Sequence, residues 1–321
     1  LWASKNKLAD DLEEVSIICI EEPEAHLHPH QQRKLAEYLG STLSGQVIIT
    51  THSPQIACEY NPNSIIRLHP SSHGTLAASN GCSKIIEDAF KDFGYRMSII
   101  PAEAFFADAV FLVEGPSEEM FYKTLAKQLS IDLDRLNISI MMVDGVGFRT
   151  FIQILSALGI KWVLRTDNDI SKIPNLNEYS FTGMKRLIDF YEKFAVRSAA
   201  CDQLINANKA LHRGFTAVTP PKVNLDGMDI IKAALADQGL FISVKDLEYD
   251  LLDSPIGDSL RDHYRGLLDE QIIEKMQKSK AINMYEYLIE NKDDLFLLDG
   301  NALCTPLDFC KTYIEALYAA N

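Results

Sequence analysis

Residues 110–119 read VFLVEGPSEE, a short apolar run that ends in an acid, a glycine and a proline. An unbroken apolar run of this length predicts a strand covered on both faces, and the glycine and proline predict a turn into a helix. Glu114 closes this strand and Glu118 follows one helical turn later, so both carboxylates are expected to face one pocket. Ligands of open parallel sheets bind at that edge. The stretch therefore predicts an α/β fold with a site at the carboxyl ends of its strands.

The next two predicted strands also end in acids. Residues 137–143 (NISIMMV) precede Asp144, and residues 161–166 (KWVLRT) precede Asp167 and Asp169. A single acid in such a place is usually a solvated strand end, and Asp144 has the alternative role of capping the turn that follows it. Acids on three successive strands repel one another unless a cation neutralises them. Because hard divalent ions suit all-oxygen sites, the pattern predicts bound Mg²⁺ or Mn²⁺.

Another strand that ends in acids lies near the start of the chain. Residues 17–24 read IICIEEPE, which is the arrangement of a Walker B strand. Glu21 is predicted to reach the magnesium shell and Glu22 the attacking water. About 30 residues later the run IITTHSP places His52 after another apolar strand, where an imidazole can sense a γ-phosphate. No G-x-x-x-x-G-K-[ST] loop occurs in the sequence, so this chain by itself is not expected to hydrolyse ATP.

The early part of the chain predicts a small parallel sheet. Apolar runs at 15–20, 46–50 and 64–68 indicate three strands, with a helix over 29–39 between the first two. Beyond residue 179 the pattern becomes mainly helical, apart from a short strand expected over 244–252.

Composition excludes several broad classes of protein. The 321 residues include 31 Lys and Arg against 45 Asp and Glu, a net charge of −14, so a protein that coats polyanions is not expected. The six cysteines form no C-x-x-C pair, which argues against a zinc ribbon and favours a reducing cytoplasm. No apolar run approaches the ~18 residues of a membrane span. Because the chain begins with Leu1 inside a pattern, it is expected to be a piece of a longer protein.

The motifs resemble two known families. Residues 21–29 (EEPEAHLHP) and 50–54 (TTHSP) resemble ABC-type ATPases, in particular the branch shared with OLD (overcoming lysogenization defect) proteins. The three acid-ended strands resemble the TOPRIM domain of topoisomerases, primases and OLD-family nucleases. An ATPase end joined directly to a TOPRIM domain resembles the layout of OLD-family nucleases, including the nuclease subunit of Gabija anti-phage systems.

The resemblance implies a domain organisation for the whole chain. It consists of the C-terminal part of an ABC-type ATPase domain over 1–72, a linker or helical connection over 73–105, a TOPRIM nuclease domain over 106–300 with a helical insert at about 180–240, and a C-terminal helix over 301–321.

The resemblance also implies the members of the site. As a strand, LEYDLL would present Glu248 and Asp250 on one face, where OLD-like proteins carry acids that complete the metal site. Lys280 matches a lysine that the family uses near the scissile phosphate. The implied activity is two-metal hydrolysis of DNA phosphodiesters, with Mg²⁺ or Mn²⁺ as the ions. Its catalytic residues would be Glu114 and Lys280; its metal ligands Glu114, Glu118, Asp167, Asp169, Glu248 and Asp250; and its nucleotide-binding residues Glu21, Glu22 and His52, with ATP bound only together with the missing part of the ATPase.

The same resemblance implies partners and leaves alternatives open. DNA is the expected substrate, a homodimer or tetramer the expected assembly, and a UvrD-like helicase a further partner. A topoisomerase needs a tyrosine in a DNA-binding module, and no such module is recognisable. A RecR-type mediator carries a Cys₄ zinc motif, which is absent. A non-catalytic ATPase–TOPRIM scaffold stays open as the alternative function.

Three weaker patterns have ordinary explanations. Arg165 and Lys161 are expected at the edge of the site or behind its ligands. The spacing of His26, His28 and His30 resembles a metal cluster, although the proline within it favours a loop. The insert is locally basic, and a solvated face is expected there more than a contact with DNA. Its basic residues are Lys185, Arg186, Lys193, Arg197, Lys209 and Arg213.

Overall fold

The structure is a computed structural model that describes residues 17–42, 45–71, 74–78, 102–143, 147–216 and 218–319. The chain divides into two compact units. The first unit comprises Leu1–His69, Thr75–Phe106 and Ala157–Gly159, and the second comprises Pro70–Gly74, Ala107–Ser156 and Ile160–Asn321. Residues 1–16 and much of the predicted connection over 73–105 lie outside the described residues.

The first unit contains the predicted strand–helix–strand arrangement. Strand β1 (Ile17–Glu21) pairs in parallel with β2 (Gln46–Thr50), and helix α1 (Pro29–Ser41) connects them. The side chain of His28 accepts a hydrogen bond from the first turn of α1, and Pro29 suits that turn because it has no N–H to satisfy. The short helix α2 (Pro54–Ala57) follows β2. The predicted parallel pair is therefore confirmed.

The predicted third strand over 64–68 is wrong. A 3₁₀ helix occupies Pro62–Ser64, and strand β3 (Leu68–Ser71) pairs with β4 (Gly74–Ala77) in a separate two-stranded sheet. The apolar side chains on which the prediction rested are exposed, at 56% for Ile66 and 62% for Leu68. A short apolar run indicates a buried strand only where a second layer covers it.

The second unit begins with the predicted α/β pattern. The chain runs through strand β5 (Ala109–Val113), helix α3 (Pro116–Gln128), strand β6 (Ile138–Met142), helix α4 (Phe148–Ala157) and strand β7 (Lys161–Thr166). All five residues of β5 are buried, as expected for a central strand with β6 and β7 on either side in parallel.

An insert of strands and helices follows β7. Strands β8 (Ile170–Lys172), β9 (Tyr179–Phe181) and β10 (Arg213–Phe215) form a small antiparallel sheet in the order β10-β9-β8. The sequence analysis predicted the helical part of this insert but not the sheet, because each strand has only three residues and shows no clear alternation. The helices are α5 (Thr182–Phe194), α6 (Ala199–Asn208) and α7 (Lys222–Ala236).

The chain then returns to the main sheet. Strand β11 (Leu240–Ile242) pairs in parallel with β7, which gives the order β11-β7-β5-β6. The strand predicted over 244–252 is wrong, because helix α8 (Leu247–Leu252) lies there. Asp246 caps this helix by accepting a hydrogen bond from the N–H of Tyr249 at 2.8 Å.

Helices complete the second unit, as predicted. They are α9 (Gly257–His263), α10 (Asp269–Lys278), α11 (Lys280–Asn291), a 3₁₀ helix over Lys292–Leu298, and α12 (Thr305–Ala319). Fully buried Phe111, Tyr122, Leu251, Tyr287 and Leu307 join the sheet, α3, α8, α11 and α12 in one hydrophobic core. Among the described residues, no helix combines the length and the hydrophobicity that a membrane crossing needs. The domain limits drawn from the sequence stay a prediction.

Candidate active site

Glu114 joins the ends of two neighbouring strands. It follows β5, and its Oε1 accepts hydrogen bonds from the Thr166 hydroxyl at the end of β7 and from the N–H of Asp167 at 3.0 Å. Arg186 of α5 donates to the same oxygen at 3.1 Å. The predicted edge of the sheet therefore does bring the acids of β5 and β7 together.

Glu118 lies in the first turn of α3 and caps it. Its Oε2 accepts hydrogen bonds from the N–H groups of Glu114 at 2.6 Å and Gly115 at 3.0 Å. The residue is only 4% exposed. Burial raises the pKa of Glu118 to about 7, with Arg165 opposing the rise and the charge of Glu114 adding to it. A cation that approached this carboxyl would lower its pKa and so favour the ionised form.

Asp167 is the buried acid of the D-x-D pair. Burial raises the pKa of Asp167 to about 8, and the charges of Glu114 and Glu118 contribute in the same direction. Space around its backbone is limited, since a Cβ atom at Gly183 would lie 2.1 Å from the Asp167 carbonyl oxygen. Glycine at 183 therefore allows α5 to begin directly against this strand end.

Asp169 lies at the rim of the site. Its side chain is 68% exposed, and Oδ2 is 3.9 Å from Arg186 Nη2. Its backbone carbonyl accepts hydrogen bonds at 2.8 Å from both the N–H and the hydroxyl of Thr182, which fix the start of α5. Asp144, the third predicted strand-end acid, lies outside the described residues.

The predicted shared face of Glu248 and Asp250 is wrong. Both residues lie in α8, where a separation of two residues turns the side chains by about 200° about the helix axis. Glu248 is 1% exposed, with Oε2 3.3 Å from Lys280 Nζ. Asp250 instead contacts Arg165 at 2.6 Å and the N–H of Val244 at 3.0 Å, and burial raises its pKa. Of these two residues, Glu248 contacts Lys280 and Asp250 contacts Arg165 instead.

Lys280 stands where the sequence placed it, at the first position of α11. Its Nζ is 3.3 Å from Glu248 Oε2 and 3.7 Å from Asp167 Oδ2. Burial acts to lower the pKa of Lys280, but these two carboxylates hold it above its ordinary value. The amine therefore stays charged, and its side chain is 42% exposed and accessible to a ligand.

Arg165 lies behind the acids of the site, which is one of the two positions expected from the sequence. It is 3% exposed and lies between Asp250 at 2.6 Å and Glu118 at 3.6 Å. Burial acts to lower its pKa, but Tyr122 and the surrounding acids hold the pKa of Arg165 above its ordinary value. An arginine inside a strand that is covered on both faces must be paired, and that signal was present in KWVLRT.

The sequence analysis assigned Arg186 to the wrong environment. The basic insert was expected to be a solvated face, yet this guanidinium contacts Glu114 and donates to the Asp167 carbonyl at 3.3 Å. Acidic and basic side chains of the second unit are thus paired with one another around the site. Five partly or fully buried carboxylates (Glu114, Glu118, Asp167, Glu248 and Asp250) meet three cations (Arg165, Arg186 and Lys280). When all five acids are ionised, 5 − 3 leaves two excess negative charges.

The donor chemistry of this site fits a divalent ion. Every acid offers oxygen ligands, the excess charge matches one such ion, and the buried Glu118 Oε1 accepts no hydrogen bond within the described part of the chain. As they stand, however, no three His, Cys, Asp or Glu side chains among the described residues converge on one point. Glu114 Oε1 already accepts from Thr166, Asp167 and Arg186, so an ion bound through that oxygen would compete with Arg186 for it.

The predicted nucleotide-binding residues lie in the first unit. Glu21 ends β1 and Glu22 follows it, with Oε1 3.9 Å from His52 Nε2. Glu24, which the sequence analysis did not single out, ties the loops after β1 and β2 together. Its Oε1 accepts from the Thr51 hydroxyl and from the N–H of His52, both at 2.7 Å.

These hydrogen bonds decide the charge state of Glu24. Burial acts to raise its pKa, but the bonds hold the pKa of Glu24 below its ordinary value. Among the described residues His26, His28 and His30 form no metal-binding group. His28 caps α1 instead.

Comparisons with known proteins identify both regions of the chain. Residues 105–169 match the family described as "Overcoming lysogenization defect protein-like, TOPRIM domain". Residues 2–57 match the family described as "AAA ATPase domain". The resemblance drawn from the sequence motifs is confirmed by these two matches.

Two of the similar proteins are nucleases by name. Endonuclease GajA of Bacillus cereus (strain VD045) is 27% identical over 300 residues, which cover 90% of this chain and 48% of that protein. The Old nuclease of Escherichia phage P2 is 31% identical over 202 residues, which cover 60% of this chain and 32% of that protein. The chain thus spans about half the length of the first and about a third of the second.

A similar solved structure is the C-terminal region of the Burkholderia pseudomallei OLD protein. It is 18% identical, with a TM-score of 0.38, and the match covers 65% of this chain and 99% of that one.

Proposed function

We propose, from the match of residues 105–169 to OLD-like TOPRIM domains, that this chain carries the catalytic site of a metal-dependent DNA endonuclease or nickase. The observation that supports it most is the meeting of Glu114, Glu118 and Asp167 at the carboxyl edge of one parallel sheet, with Lys280 beside them. An excess of buried carboxylates next to an accessible amine suits a site that takes up metal ions and a phosphate together.

Mg²⁺ or Mn²⁺ is the proposed cofactor. Glu114, Glu118 and Asp167 would hold the first ion, and Asp169 and Glu248 would contribute to a second. When bound, such ions activate a water molecule and stabilise the leaving oxygen of a phosphodiester. Asp250 is left out of the ligand set because Arg165 engages it at 2.6 Å.

The other residues of the site position or neutralise charge. Lys280 would face the non-bridging oxygens of the scissile phosphate, where a fixed cation stabilises the transition state more than the ground state. Arg165 would hold Glu118 and Asp250 in place from behind. Thr166 and the N–H of Asp167 would keep the Glu114 carboxylate oriented by their hydrogen bonds.

Regulation by the ATPase region belongs to the same proposal. Glu21 ends β1 and Glu22 follows it, while His52 comes just after the adjacent parallel strand β2, as a Walker B acid pair and a γ-phosphate sensor would. Their nucleotide would be bound together with sequence outside this chain. A role in anti-phage defence, assembly into dimers or tetramers, and a helicase partner are the further parts of the proposal, and they rest on the resemblance alone.

Plasmid cleavage tests the activity. Wild type would be incubated with supercoiled plasmid and Mg²⁺ or Mn²⁺, beside Glu114→Gln and Lys280→Ala. The chain offers matched controls for both. Glu119→Gln removes a neighbouring acid that pairs with Lys123 on the surface, and Lys278→Ala removes a lysine that is 73% exposed two positions before Lys280.

Metal-dependent cleavage that disappears in both site variants and persists in both controls is the expected result. A linear product would identify double-strand cutting and an open circle nicking. Cleavage that survives Glu114→Gln would refute the assignment of the site. A folded wild type that binds metal and leaves the plasmid intact would favour the non-catalytic scaffold.

A further inference from the structure

A basic pocket adjoins the group of acids in the second unit. It has a volume of about 220 Å³ and lies between α4 and α5. Four of its lining residues are cations, namely Arg149 of α4 and Lys185, Arg186 and Lys193 of α5, against the single acid Asp189. The pocket therefore carries a formal charge of 4 − 1 = +3 on a chain whose net charge is −14.

Three of these cations lack an internal counter-ion. Within the described parts of the chain, Arg149, Lys185 and Lys193 form no ion pair, and all three side chains are exposed. Exposed lysines on a convex surface are simply solvated. Unpaired cations that line a concave surface concentrate the positive potential there and attract an anion.

One side chain connects the pocket to the proposed catalytic site. Arg186 lines the pocket, and its Nη2 also lies 3.1 Å from Glu114 Oε1. Arg186 would therefore stand between an anion held in the pocket and a ligand held by Glu114. Phe190 and Phe194 form the apolar part of the wall; Phe190 is buried, and the half-buried Phe194 offers the surface that a base or sugar can contact.

We propose that this pocket binds a backbone phosphate of the DNA strand next to the phosphodiester that is cut. This inference rests on the proposed function, because that function is the reason to expect DNA as the ligand. It adds that the DNA strand runs along α5. Such a contact positions the strand without reading its sequence, because lysine and arginine contacts to phosphate are the same for every base.

DNA binding without catalysis tests the pocket. The 321-residue chain would be titrated into short fluorescein-labelled duplex and single-stranded DNA in EDTA, over a series of NaCl concentrations. The variant is Lys185→Ala/Lys193→Ala, which leaves Arg186 and every proposed metal ligand in place. The matched control, Lys127→Ala/Lys292→Ala, removes two exposed lysines that do not line the pocket.

The expected result is a loss of affinity that depends on salt. The pocket variant should bind at least about five-fold more weakly at low salt. The slope of log K against log [NaCl] should become shallower by about 1 for a duplex, because the variant makes one phosphate contact fewer and therefore releases about one counter-ion fewer on binding. The control should keep the wild-type slope. Circular dichroism would verify that both variants are folded.

Two outcomes separate this inference from the proposed function. Equal affinity and equal slope in wild type and pocket variant would overturn the pocket, whether or not the protein cuts plasmid, and a wild type that binds no DNA would do the same. A wild type that binds through Lys185 and Lys193 but cuts nothing with metal would preserve the pocket and refute the nuclease.

Discussion

Arg165 donates a hydrogen bond to Asp250 at 2.6 Å, and the side chains of both residues are almost entirely enclosed, at 4% and 13% exposed. The pair joins a central strand of the main sheet to helix α8, which lies 85 residues later in the chain. Because Arg165 also faces Glu118, one guanidinium neutralises acids from two helices. The order of the site thus depends on a cation that takes no part in the proposed chemistry.

We predict that Arg165→Met strongly destabilises the protein. The change leaves the buried carboxyls of Glu118 and Asp250 without their cation, and breaking a buried pair from one side costs about 3–5 kcal/mol. Urea unfolding followed by circular dichroism measures the change. The double variant Arg165→Met/Asp250→Leu should recover part of the loss, and a double variant less stable than the sum of the single changes would contradict this account.

The stability of the metal-free protein should fall as the pH rises. The folded-state pKa values of Glu118 and Asp167, about 7 and about 8, exceed their ordinary values of 4.5 and 3.8. The folded protein therefore binds protons more tightly than the unfolded chain, and this contribution is complete below about pH 4 and is lost as the pH rises through 7 and 8. Melting in EDTA should occur at least about 2 °C lower at pH 8.5 than at pH 6.

A bound divalent ion should reverse that trend. Because it neutralises the ionised acids, Mg²⁺ or Mn²⁺ should raise the melting temperature more at pH 8.5 than at pH 6. Asp167→Asn removes the group with the higher pKa and should flatten both dependences. A melting temperature that rises between pH 6 and pH 8.5 in EDTA, or a metal effect that is larger at pH 6, would show that the acids are already compensated within the protein.

The two acids of the D-x-D pair should differ in importance. Asp167 is buried beside Lys280, whereas the side chain of Asp169 is 68% exposed at the rim. If the chain is a nuclease as proposed, Asp167→Asn should lower the cleavage rate by about 10²-fold or more, and Asp169→Asn by less than about ten-fold. Initial rates on supercoiled plasmid at saturating Mg²⁺ give the comparison. The reverse order would mean that the second acid carries the first ion.

Gly183→Ala should disturb both fold and site. A methyl group there would lie 2.1 Å from the Asp167 carbonyl oxygen, so α5 must move away from the strand end. Overpacking of this kind costs about 1–3 kcal/mol, and the shift would carry Arg186 away from Glu114. Gly115→Ala is the matched control, because nothing lies within 4 Å of a Cβ atom at that position. Thermal melting and the pH dependence in EDTA would be compared for the two variants, and equal behaviour would contradict the steric argument.

The parts of the fold that follow from local pattern were predictable from the sequence. Apolar runs that end in acids located β5 and β7, and with them Glu114 and Asp167. Residues 244–252 misled because acids alternate with apolar residues at the start of α8, whereas Leu247 and Leu251 in fact share one buried helical face. Asp246 is a possible helix cap, but nothing in the sequence alone made this helix signal stronger than the strand-like alternation.

Pairs that are distant in the chain were not predictable from it. Arg165 meets Asp250 across 85 residues, and Arg186 meets Glu114 across 72. Neither contact leaves a local signature, since an arginine in an apolar strand indicates a buried partner without naming it. The sequence therefore indicated the acids of the site and Lys280, whereas the pairings of Arg165 and Arg186 were identified from the structure.

Glu118 divides its two oxygens between two tasks. Oε2 accepts the N–H groups of Glu114 and Gly115 and so starts α3, while Oε1 faces Arg165 at 3.6 Å. These hydrogen bonds require Glu118 to follow Glu114 by four residues, because its side chain must reach back to the N–H groups of Glu114 and Gly115. Inserting or deleting one residue in this interval would break the helix start and the site in the same event. The segment from Glu114 to Glu118 therefore tolerates substitutions between the two acids but no change in length.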